Sequence, residues 1–105
     1  MDIHYQLTKP LNLAAALRQM GYHPVMDRHS EQQSWSRTLG RSLYPRFHLY
    51  ITTASAQEVQ LSLHLDQKQF TMQAVKSRHA GEYHGPVVEA EVGRIKRWLD
   101  YFKSL

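Results

Sequence analysis

The chain has no cysteine among its 105 residues. Disulfides, thiolate metal sites and cysteine nucleophiles are therefore excluded, and the redox compartment is left open. No apolar run approaches the ~20 residues of a membrane-spanning helix. The opening Met1-Asp2-Ile3-His4-Tyr5-Gln6 lacks the basic and apolar regions of a signal peptide, so a cytoplasmic location is the expectation. Blocks of basic residues are missing too, the longest being the pair Lys96-Arg97. There is no internal repeat, low-complexity tract or linker. The length fits one domain, residues 1–105, and is sufficient for a hydrophobic core. A formal net charge of +4, spread along the chain, speaks to solubility and a weak pull on anions.

Histidine is what the chain has in quantity, with seven copies. It is the commonest metal ligand and the side chain that titrates near neutrality. Two of the seven stand in the most ordered patterns of the sequence. Arg46-Phe47-His48-Leu49-Tyr50-Ile51-Thr52 and Val59-Gln60-Leu61-Ser62-Leu63-His64-Leu65-Asp66 both alternate apolar and polar residues with period two, as half-buried strands do. The short polar stretch Thr53 to Glu58 makes them an antiparallel hairpin. Phe47, Leu49 and Ile51 must share a face with Leu61, Leu63 and Leu65, because a one-residue slip would expose a whole apolar set. Paired positions then sum to an even number throughout. The short loop selects the register that sets His48 opposite His64, Arg46 opposite Asp66 and Tyr50 opposite Ser62. Directly opposed residues carry Cβ atoms roughly 5 Å apart, so two imidazoles stand side by side with a carboxylate one step along.

The flanking segments supply the rest of a fold. Ile3, Tyr5 and Leu7 alternate with polar residues as a first strand. Thr8 is the expected N-cap of a first helix, with Pro10 in its first turn, a stripe of Leu13, Leu17 and Met20, and Gly21 as its C′ terminator. Residues 22–29 and 33–39 read as a second hairpin turning around Ser30-Glu31-Gln32, with Trp35, Arg37 and Leu39 on one face. Leu39 to Pro45 is a loop, and residues 67–85 have little periodicity. Gly85-Pro86 opens a final helix with a core stripe of Val88, Val92, Ile95, Leu99 and Phe102. Its early Glu89 and Glu91 and late Arg94, Lys96, Arg97 and Lys103 suit the helix dipole. The order β-α-β-β-β-β-α predicts an α+β fold, an antiparallel sheet of about five strands with both helices packed on one face. The other face is expected to be open, with His48, His64, Tyr50, Asp66, His4 and Gln6 on it.

Zinc takes three or four nitrogen or oxygen ligands, and a catalytic site leaves one position for water. His48, His64 and His79 are the candidate ligands of a divalent transition metal, zinc first, with Glu82 or Asp66 as general base for hydrolysis. Asp66 is also a candidate ligand or orienting partner. Tyr50 or Lys68 would stabilise developing negative charge. Against this stands the plain alternative of exposed strand histidines beside an ordinary Arg46–Asp66 cross-strand pair. A metal-free mechanism would use the two histidines as acid and base, with Lys68 or Arg46 holding a phosphate. It lacks the Ser or Thr that two-histidine phosphoesterases carry two residues after each histidine, where this chain has Tyr50 and Asp66. The same face also suits an RNA- or single-strand-binding module, in which Tyr50, with Tyr44 and Tyr83, would stack bases beside Arg41, Arg46, Lys68 and the basic stretch 76–79. A homodimer through that face is a further expectation.

Pro45-Arg46-Phe47-His48-Leu49-Tyr50-Ile51, Leu63-His64-Leu65-Asp66-Gln67-Lys68 and His79-Ala80-Gly81-Glu82-Tyr83 resemble a family of small uncharacterised proteins from uncultivated bacteria, over roughly residues 45–98. The resemblance brings no activity with it. It implies that the hairpin and the 79–83 segment belong to one recurring pattern. It also implies that His84, where the family tends to have Asp, is a weaker ligand candidate than His79.

Overall fold

The alternating segments form the strands the pattern predicts, and a computed structural model describes residues 1–26, 33–67, 81–82 and 85–105. The elements are β1 (Asp2–Gln6), α1 (Leu13–Gln19), β2 (His23–Pro24), β3 (Ser34–Thr38), β4 (Arg46–Ala54), β5 (Glu58–Asp66), β6 (Gly81–Glu82) and α2 (Pro86–Lys103). Five strands make an antiparallel sheet in the order β1-β5-β4-β3-β2, and the two-residue β6 adds to β5 beside β1. The expected β-α-β-β-β-β-α order is thus present, with β6 as an addition. The chain enters at one edge, α1 carries it to the opposite edge, and β2 to β5 return as a meander. The strands that carry His48 and His64 consequently occupy the inner positions β4 and β5.

One face of the sheet and both helices share a single core. Ile3, Trp35, Phe47, Leu49, Val59, Leu61, Leu63 and Leu65 pack with Leu17 of α1 and with Val88, Val92, Ile95 and Leu99 of α2. Phe102 completes the α2 stripe as a partly buried residue. Leu39, expected beside Trp35 and Arg37, lies past the end of β3 and is exposed. Its amide bonds Pro45 O at 3.2 Å, closing the loop before β4.

The ends of α1 show one correction and one agreement. Asn12, not Thr8, is the N-cap, and its side-chain oxygen accepts the Ala15 N–H at 3.1 Å. Pro10 therefore precedes the helix. A side-chain acceptor next to Leu13 satisfies an otherwise unpaired first-turn amide, which Thr8 is too far back to reach. At the other end Gly21 sits at φ +98°, with Gly21 N–H bonding Arg18 O at 3.1 Å and Tyr22 N–H bonding Leu17 O at 2.9 Å. That is the paired hydrogen bonding of a Schellman terminus, whose left-handed residue favours glycine.

Glu91, early in α2, is 4% exposed between that helix and the sheet. Arg94 holds it with two bonds, Nε to Oε1 at 2.7 Å and Nη2 to Oε2 at 2.9 Å. The Tyr22 hydroxyl donates to Oε2 at 2.6 Å, and Arg37 of β3 lies 3.6 Å away. Arg94 also caps the end of α1 by donating to Met20 O at 2.8 Å. Burial, then the Glu91 charge and hydrogen bond, push the Tyr22 phenol far above its ordinary value. The bond to Glu91 likewise raises the Arg94 guanidinium.

Candidate metal centre on the polar face

β4 and β5 pair as the alternation requires, with His48 opposite His64, Arg46 opposite Asp66, Tyr50 opposite Ser62 and Leu49 opposite Leu63. The even-sum rule holds from Arg46 to Ile51 and then breaks. Beyond Ile51 the pairs are Thr53 with Gln60 and Ala54 with Val59. Thr52 is the extra residue of a bulge, and its hydroxyl donates to Gln60 O at 3.0 Å. The bulge lies past the histidines and leaves their register intact. It lets Ala54 and Glu58 approach a tight turn in which the Ser55 hydroxyl oxygen accepts from the amides of Gln57 and Glu58 at 3.2 and 3.1 Å.

On the face away from the helices, three side chains converge. Asp66 Oδ1 lies 3.0 Å from His64 Nε2, and Oδ2 lies 3.2 Å from His48 Nδ1. One ligand atom from each of the three residues can be chosen with all of them within 4.8 Å of one another. Strand geometry explains the set: His48 and His64 are directly opposed, while Asp66 is two residues from His64 on the same face. Tyr50 joins from the other side. Its ring lies 4.5 Å from that of His48 and stacks on His64 at 5.6 Å and 22°, with its hydroxyl 3.5 Å from His48 Nδ1.

The expected open face is enclosed at this point. The side chains of His48 and His64 are each 12% exposed, Asp66 21% and Arg46 18%. Partial desolvation strengthens every charge interaction among them. Burial pushes the Asp66 carboxyl up, but hydrogen bonds from His48 and His64 and their positive charge outweigh it, holding the group well below the usual carboxylate range. His4 and Gln6, opposite Gln60 and Glu58, lie on the same face at its exposed margin.

Among the described residues, two buried side-chain nitrogens lack a hydrogen-bond partner, Arg46 Nε and His48 Nε2. Both belong to this cluster. Arg46 Nε is 3.8 Å from Asp66 Oδ2, too long for a hydrogen bond, while its guanidinium carbon sits 4.7 Å above the Tyr44 ring. That stacking was not legible in the sequence, because Tyr44 lies in the loop before β4, whose path no periodicity defines.

Of the other site residues expected from the sequence, His79 and Lys68 lie outside the described residues, as do Tyr83, His84 and the 76–79 stretch. Glu82 is in β6, where the backbone register sets it opposite Leu65 and sets Gly81 opposite Asp66. Asp66 bridges the two imidazoles directly. The chain matches no protein-family model, and comparison with curated proteins and with solved structures finds no match.

Proposed function

We propose that the protein binds one divalent transition-metal ion, zinc first, through His48, His64 and Asp66. The observation that carries this reading is the convergence of two imidazole nitrogens and a carboxylate in a half-buried patch. Ligand atoms of a tetrahedral zinc stand about 3.3 Å apart. The two imidazole-to-carboxylate distances, 3.2 Å to Oδ2 and 3.0 Å to Oδ1, are near that value, and the three ligand atoms, within 4.8 Å of one another, would draw together around an ion. Two nitrogens and one oxygen also form the donor set that non-haem iron(II) uses. Three protein ligands leave a position for water, and a metal-bound water at neutral pH is a hydrolytic nucleophile.

No observation favours the nucleic-acid reading over this one. Tyr50 is half-buried against His64, and the Tyr44 ring already carries the Arg46 guanidinium. Base stacking needs presented ring faces.

The test is metal analysis by mass spectrometry on tag-free protein prepared without metal-affinity resin. The expected result is near-stoichiometric metal, lost in the His48→Ala/His64→Ala double variant. Zinc added to stripped wild type at a hundredfold excess over its Kd would stabilise the fold by about 2.7 kcal/mol, read as a rise in Tm. Folded wild type that takes up neither zinc nor iron(II), and melts alike with and without them, would end the proposal.

A further inference from the structure

We propose that the metal centre takes a dianionic oxyanion, inorganic phosphate or a phosphate monoester, held between the metal and Arg46. This rests on the metal reading above and names the ligand class of the same site. The Arg46 guanidinium is held by its face on Tyr44, 4.7 Å from ring to guanidinium carbon. Such stacking leaves the N–H edge for hydrogen bonding. Yet Arg46 makes no hydrogen bond to a described residue, and its Nε is buried without a partner. A buried donor left in that state is costly. Its ion-pair partner among the described residues, Asp66, is 3.8 Å away and committed to two imidazoles.

Charge points the same way. With neutral imidazoles, a divalent metal, the Asp66 carboxylate and the Arg46 guanidinium leave the loaded centre doubly positive. The other carboxylate that the described register brings toward it is Asp2, opposite Ser62 and exposed. A dianion neutralises the centre, whereas a phosphodiester neutralises half of it. Arg46 Nε lies 3.8 Å from Asp66 Oδ2, itself 3.2 Å from His48 Nδ1, so the guanidinium and the imidazole stand beside the same carboxylate oxygen. A phosphate would give one oxygen to the metal and another to a guanidinium N–H. The proposal concerns binding and includes no bond-breaking step.

Calorimetry tests it in two stages, zinc alone and then inorganic phosphate on the zinc-loaded protein. Phosphate is expected to bind loaded wild type, and to bind stripped protein or zinc-loaded Arg46→Met about tenfold more weakly or worse. Zinc affinity is expected to survive the Arg46→Met change. Phenyl phosphate should compete with phosphate, and diphenyl phosphate about tenfold less well, a factor of ten being about 1.4 kcal/mol. Should Arg46→Met not fold, Arg46→Gln, which retains a donor toward Asp66, carries the comparison. Zinc binding without phosphate binding, equal phosphate affinity in the Arg46 variant, or equal competition by the diester would each overturn this inference and leave the metal reading standing. Failure of zinc itself to bind would remove both.

Discussion

Two carboxylates anchor the polar chemistry of this fold, one on each side of the sheet. Glu91, on the helix side, is deeply buried and fully engaged: two bonds from Arg94, one from Tyr22, and Arg37 within 3.6 Å. These partners come from α2, β3 and the chain just after α1, so the carboxylate ties three parts of the fold together. Asp66, on the other side, is less buried and gathers His48, His64 and Arg46 from β4 and β5 alone. Its partners retain unused capacity, at His48 Nε2 and Arg46 Nε. A satisfied buried network contributes rigidity, whereas one with capacity to spare is organised yet incomplete. Partner type sharpens the contrast. Guanidinium and phenol form lasting bonds to a carboxylate, while imidazole can exchange that partner for a metal ion.

The sharpest way to break this comparison is Glu91→Ala. It strands Arg94 and the Tyr22 hydroxyl near the core, so the expected cost is about 3 kcal/mol, measured by urea denaturation. Zinc affinity should be unchanged. A loss of stability below about 1 kcal/mol, the level of a surface pair, would show that the two clusters are alike.

Asp66→Asn should cost the metal-free protein less, about 1–2 kcal/mol at neutral pH, and should abolish tight zinc binding. Its pH dependence has a definite sign. The folded-state carboxyl is held below its unfolded value of about 3.9 by His48 and His64. The stabilisation is therefore fully present above about pH 4 and is lost as pH falls through the folded value. Denaturation curves of wild type and variant should converge as the pH drops below about 4. A gap that stays constant to lower pH would show that the Asp66 charge contributes nothing to stability. The smallest expected effect is that of Tyr22→Phe, about 1 kcal/mol with no change in metal binding, because Arg94 continues to satisfy Glu91.

How far the sequence could be read depended on how local each feature is. The pairing of His48 with His64 and Arg46 with Asp66 was legible because alternation sets the faces and a short connection sets the register. The bulge at Thr52 was not, since one extra residue near a turn barely disturbs the alternation. Gly21 was legible as a helix terminator, whereas the choice of Asn12 over Thr8 as N-cap depended on where the helix found its packing. Glu91 carried no signal at all. Its early place in α2 suited the helix dipole, and its hydrogen-bond partner Tyr22 lies 69 residues away.

By itself, then, the sequence determined the α+β element order, the apolar stripes of both helices and the facing register of the central hairpin. These follow from periodicities of two and 3.6 that neighbouring residues impose on one another. Only the tertiary structure decided that the histidine pair is half-buried, that Asp66 bridges both rings, that Arg46 lies on Tyr44 and that Glu91 is a buried clamp. Each of those depends on which distant surfaces exclude water from a side chain, and no local pattern in the chain encodes that.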